Sequence, residues 1–118
     1  MFKKLFFILL SIVFSGFLTT ANASFFEGPT LHIHNHSSTP VQVRERYTLP
    51  FIVPAFGGYD SLNAGFWDAL YDVGLYYLSI YGYYVLVPNC YIGNMYFYDI
   101  DLYVYDAYIN GYYVPACY

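Results

Sequence analysis

Beyond Lys4 this chain contains no lysine, and its only other fixed positive charges are Arg44 and Arg46. Over residues 24–118 they face Glu27, Glu45, Asp60, Asp68, Asp72, Asp99, Asp101 and Asp106. Two positive against eight negative charges leave a net of −6 with neutral histidines. A surface of that sign repels phosphate backbones, so nucleic acid is not an expected partner. Cysteine is scarce as well: Cys90 and Cys117 are the only two, without the C-x-x-C spacing that depresses a thiol pKa in a redox pair. No glycine-flanked serine of a nucleophile elbow and no phosphate loop is present. The histidines have no obvious serine or free cysteine to activate. Asp99 and Asp101 are expected to solvate a strand rather than to work as an acid–base pair. These absences point to a protein that is not an enzyme and needs no cofactor.

Long apolar runs are also missing, with one exception. Leu5 to Leu18 is almost unbroken, follows Lys3 and Lys4, and leads to Ala21-Asn22-Ala23. That order is the charged, apolar and small-residue succession of a signal peptide, with cleavage expected after Ala23. The run is too short to span about 30 Å of hydrocarbon comfortably, so no stable membrane span is expected once it is removed. No cysteine follows the cleavage site to carry a lipid. The expected location is outside the cytoplasm, periplasmic or secreted, and the short two-lysine start has a bacterial look. Residues 24–118 then form a single exported domain. A chain this short buries only about 60–65% of its unfolded surface, so a covalent staple helps. In an oxidising compartment Cys90 and Cys117 are expected to supply it as a disulfide.

Tyrosine is abundant: all 17 lie within residues 24–118, most of them after residue 70. They accompany a period-two pattern. Leu31 and Ile33 alternate with His32, His34 and His36; after Ser37-Ser38-Thr39-Pro40, Val41 and Val43 alternate with Gln42, Arg44 and Arg46. Two alternating runs about a polar turn predict a hairpin. Pairing His34 with Arg44 and Ile33 with Glu45 gathers Leu31, Ile33, Val41, Val43 and Tyr47 on one apolar face, and burial selects that register. Pro50, Pro54, Gly57 and Gly58 make residues 48–60 a connection that carries the chain between sheets, not a central strand. Residues 61–71 fit either a short helix, with Leu62, Phe66, Leu70 and Val73 at helical spacing, or a bulged strand.

From residue 72 the β signal returns and repeats. Residues 72–85 lie over 101–114, an offset of 29, with 7 of 14 positions identical; Pro88-Asn-Cys-Tyr91 lies over Pro115-Ala-Cys-Tyr118 after a two-residue gap. Asn110-Gly111 predicts a two-residue type I′ turn, with Tyr81-Gly82 as its counterpart, giving tyrosine-rich duplicated hairpins at 72–91 and 101–118. The turn pairs Ile109 with Tyr112 and Val104 with Cys117. Cys117 then points inward with Leu102 and Val104, while Asp99, Asp101, Tyr103 and Tyr105 face outward. The predicted fold is all-β, a small antiparallel β-sandwich built from hairpins.

Two surface features are candidates for function. The outward row of Asp99, Asp101, Tyr103 and Tyr105 is a candidate ligand face: flat rings stack on sugars while carboxylates accept hydrogen bonds, and tyrosine equally suits protein contacts. His32, His34 and His36 share a strand face at a spacing that can chelate a metal, but the predicted register sets Arg44 and Arg46 beside them, which opposes a cation. Histidines beside arginines would instead weaken a contact on acidification. The expected function is a non-enzymatic module that binds a protein or carbohydrate. The alternatives are a self-assembling envelope or extracellular protein, joined through edge strands, and a histidine-based metal binder.

Overall fold

The computed structural model describes residues 28–118. The expected signal segment and its cleavage site lie outside these residues. Eight strands form two sheets: β1 (Thr30–Asn35), β2 (Val41–Glu45), β3 (Thr48–Val53), β4 (Gly58–Asn63), β5 (Leu70–Leu78), β6 (Tyr84–Met95), β7 (Ile100–Ile109) and β8 (Tyr112–Cys117). One sheet has the order β4-β1-β7-β8 and the other β3-β2-β5-β6. All neighbouring strands are antiparallel except β1 and β7, which run parallel. No helix occurs among the described residues, and none of them provides a helix long and apolar enough to cross a membrane. This is a β-sandwich, as the alternation predicts.

The core lies where the two inner faces meet. Leu31 and Ile33 of β1 and Val104 of β7 pack toward Val41, Val43, Val73, Leu75 and Val87 of the second sheet, all essentially inaccessible to water. Cys90 on β6 and Cys117 on β8 are bonded, with Cα atoms 5.3 Å apart. The disulfide therefore joins the edge of one sheet to the edge of the other.

The first predicted hairpin does not form. β1 and β2 lie in different sheets, and residues 36–40 are an arch that carries the chain across the core. Four of the five expected inward residues, Leu31, Ile33, Val41 and Val43, are nevertheless buried, because period-two alternation sets which face is buried and not which strand is the neighbour. Asn35 and Ser37 face inward inside the arch, where the Asn35 side chain bonds the Thr39 and Val53 carbonyls and the Ser37 amide. The second crossover docks on the first: Phe56 donates to the Ser37 carbonyl and Gly57 to the Asn35 carbonyl.

Residues 48–60 do move the chain between sheets and hold no central strand, as expected, but the connection itself is built of strands. β3 and β4 are edge strands on opposite sheets. Pro50, Pro88 and Pro115 all sit in edge strands, where one side of the backbone needs no ladder donor. The helix considered for 61–71 is absent: Gly65 and Trp67 adopt positive φ, +91° and 58°, which a right-handed helix cannot contain.

Tyr47, expected inside, is 75% exposed. The inward position at this end of β2 belongs to Glu45, which is buried. Its carboxylate accepts from the Tyr47 amide at 2.7 Å, the Thr48 hydroxyl at 2.9 Å and the Tyr71 amide at 2.8 Å. These bonds close the β2–β3 turn and tie it to β5. An amide side chain would have to point its nitrogen at one of those donors. Glu45→Gln is therefore expected to lower stability by about 2 kcal/mol in urea denaturation.

The two tyrosine-rich segments form the hairpins β5–β6 and β7–β8, one in each sheet. In the second, Ile109 pairs with Tyr112 and Val104 with Cys117, as predicted, and Asn110 and Gly111 have φ of 52° and 87°. The first departs from the expected two-residue turn. Ladder pairing ends at Leu78 and Tyr84, Ser79 donates to the Tyr83 carbonyl, and Gly82 donates to the Ser79 carbonyl. Ile80, Tyr81 and Gly82 thus form a three-residue loop. A type I′ turn needs positive φ at both central residues, which asparagine tolerates and tyrosine resists; here only Gly82 takes it.

Candidate functional site

The parallel pairing of β1 with β7 places the two sequence-predicted features on a single surface. His32 lies beside Asp101 and His34 beside Tyr103, while on the other flank of β1 His34 lies beside Tyr59 of β4. All point away from the core, since their strand neighbours Leu31, Ile33 and Val104 point into it. The rings contact one another closely. His34 stacks on Tyr103 with centroids 4.5 Å apart and planes 10° from parallel, and His36 stacks on Tyr105 at 5.3 Å. His34 also lies 5.0 Å from the Tyr59 ring.

Polar atoms of the same groups are engaged at the ring edges. His34 Nε2 lies 3.0 Å from Asp101 Oδ1, and His32 Nδ1 lies 2.7 Å from the Tyr59 hydroxyl. His34 is 27% exposed at its side chain and Asp101 54%, so the pair is reachable from solvent while held by packing. Asp99 belongs to this face differently from its expected role. It precedes β7, and its Oδ1 accepts the Thr30 amide at 2.8 Å, fastening the start of β1. Tyr59 is the member that sequence reasoning missed. Its only signal was the weak alternation of Tyr59, Ser61 and Asn63 against Leu62 after two glycines.

The arginines are not here. Arg44 lies on the outer face of the opposite sheet, its guanidinium carbon 4.3 Å from the Tyr76 ring centroid and its Nε donating to Gln42. Arg46 pairs with Asp72 at the end of that sheet, where hydrogen bonding to Tyr47 and Asp72 holds its proton more firmly than usual. The predicted His34–Arg44 pairing is thus wrong, because it required β1 and β2 to be neighbours. Its consequence, fixed positive charge beside the imidazoles, disappears with it. Even so, among the described residues no three His, Cys, Asp or Glu side chains converge as a metal site.

Ring orientation decides what this surface can do. Near-parallel rings standing on a sheet turn their faces toward each other and their edges toward solvent. The flat face that a sugar stacks on is occupied at His34 and Tyr103. Hydroxyls, imidazole nitrogens and a carboxylate are presented on a rigid, partly apolar bed.

Fold and face together define a disulfide-pinned, two-sheet β-sandwich with an imidazole–tyrosine outer surface. Comparison with protein-family models, with curated proteins and with solved structures returns no match for the chain.

Proposed function

We propose that this chain is a non-enzymatic binding module, exported by its N-terminal segment, that recognises a protein partner through the outer face of β1, β4 and β7. The observation that carries this reading is His34, stacked on Tyr103 and bonded to Asp101 while still open to solvent. Tyrosine and histidine edges supply contact area and directional hydrogen bonds, and their neighbours have already fixed their rotamers. The mutual stacking of the ring faces favours a protein over a carbohydrate.

The test compares immobilised wild-type protein with the double variant His34→Ala/Tyr103→Ala and with Arg44→Ala on the opposite face. Each is presented to the proteins of its own compartment and to a glycan array. A protein ligand that binds wild type and Arg44→Ala alike, and the double variant about thirtyfold more weakly, is the expected result. Binding that survives in the double variant would remove this face from the function. A glycan ligand lost in the same variant would replace the protein partner by a carbohydrate.

A further inference from the structure

Charge is distributed unevenly along the molecule. Residues 73–98 and 107–118 contain no Asp, Glu, Lys, Arg or His. Pairing with the inner strands ends early on both hairpins: β1 accompanies β7 only to Val104, and β2 accompanies β5 only to Tyr76. Both tyrosine-rich hairpins therefore run on past the 36–40 arch with no third strand beside them. They enclose a cleft of about 410 Å³ between their facing surfaces, floored by Thr39 and Pro115 and walled by Tyr77, Ile80 and Tyr113 among others. Asp106, which pairs with Pro115 at the base of the second hairpin, is turned to the arch, where its Oδ1 accepts from the Ser38 amide and hydroxyl.

We propose that this uncharged hairpin end is a self-association surface, on which the hairpin tips of one copy seat against the cleft of a second. Three arguments select a second copy as the occupant. The first is electrostatic. The described residues carry two arginines against Glu45 and six aspartates, a net of −5, so two copies repel wherever charged surfaces meet. At the hairpin end they meet with no ionised side chain on either tip.

The second is area. Ile80, Tyr81, Tyr83, Tyr108, Tyr112 and Tyr113 are each more than half exposed. At about 200 Å² for a whole side chain of this size they present roughly 800 Å², one partner's share of a specific interface. The third is the backbone. β6 and β8 are edge strands with unpaired N–H and C=O groups along one side. A bilayer would leave those groups unsatisfied, whereas a protein surface can bond them. The surface is a concave cleft flanked by two convex tips, a self-complementary shape for a two-fold contact.

Sedimentation velocity of the oxidised exported protein, residues 24–118, over a wide concentration range, tests the proposal. The variants are Ile80→Lys and Tyr113→Lys, at positions 76% and 72% exposed, so neither should disturb folding. Wild type is expected to shift from monomer to dimer with concentration. Each lysine variant should weaken that equilibrium about thirtyfold, while Leu49→Lys, the same charge change at an exposed position on β3, leaves it unchanged. A monomer at every concentration would overturn the proposal. So would a dimer indifferent to both lysines, or a monomer that sediments with phosphatidylcholine vesicles.

Discussion

The double variant Cys90→Ala/Cys117→Ala is expected to melt roughly 15–25 °C below the oxidised wild type. The bond spans 27 residues of sequence, and closing a loop of that length removes denatured-state entropy worth about 3.5 kcal/mol. For a domain of this size each kcal/mol shifts the midpoint by about 4–8 °C. Position makes the loss larger in its consequences. Four connections, β1–β2, β3–β4, β4–β5 and β6–β7, tie the two sheets together elsewhere, but no loop joins β6 to β8, so among the described residues the disulfide is the only covalent link between those two edge strands. β8 is also an edge strand, held laterally by β7 alone. Hydrogen exchange of the variant should therefore show β8 losing protection before β1 and β5 do. Reducing the wild type should reproduce the variant's melting temperature. A midpoint within a few degrees of wild type would mean that noncovalent packing holds this edge, and the staple argument would fail.

The second hairpin and the disulfide were legible because local chemistry specifies them. Asn110-Gly111 allows one tight turn, the turn sets the register, and the register turns Cys117 inward toward Val104's side of the sheet. The partner of β1 was not legible, for an equally physical reason. A hairpin and an arch both bury Leu31, Ile33, Val41 and Val43, so the alternation is satisfied either way. The signal that separates them is polar. Asn35 and Ser37 stand at inward positions, where a sheet hairpin has no use for them, whereas an arch crossing a core must satisfy its own turning backbone. The candidate face suffered from the same gap. The histidines and the Asp101–Tyr105 row were each identified from the residues, but that they share a surface depends on the parallel β1–β7 contact, which joins strands 65 or more residues apart in sequence. Nothing local encodes that pairing. Tyr59 depends on a further edge contact, which the weak alternation around it does not specify.

Replacing Asn35 by alanine is expected to cost about 3–4 kcal/mol in chemical denaturation, a large effect for so small a truncation. The side chain is fully buried. Its Nδ2 donates to the Thr39 carbonyl at 2.9 Å and the Val53 carbonyl at 3.3 Å, and its Oδ1 accepts the Ser37 amide at 3.1 Å with the Ser37 hydroxyl 2.6 Å away. Truncation strands these groups inside the sandwich, and each unsatisfied buried group costs about 1–3 kcal/mol, partly relieved by any water that enters. Asn35→Asp separates hydrogen bonding from volume. It keeps the shape but turns an acceptor toward two carbonyl oxygens, so the ionised variant should be at least as unstable as the alanine one at neutral pH. Burial and those oxygens both raise the introduced carboxyl's pKa in the folded state above its unfolded value. The folded form then binds more protons between the two values, so stability must rise as pH falls through that window. Asn35→Ala has no such group and should show no pH-dependent recovery relative to wild type. If both variants lost the same stability at every pH, Asn35 would be acting through packing alone, and the arch would owe its shape to something other than its buried hydrogen bonds.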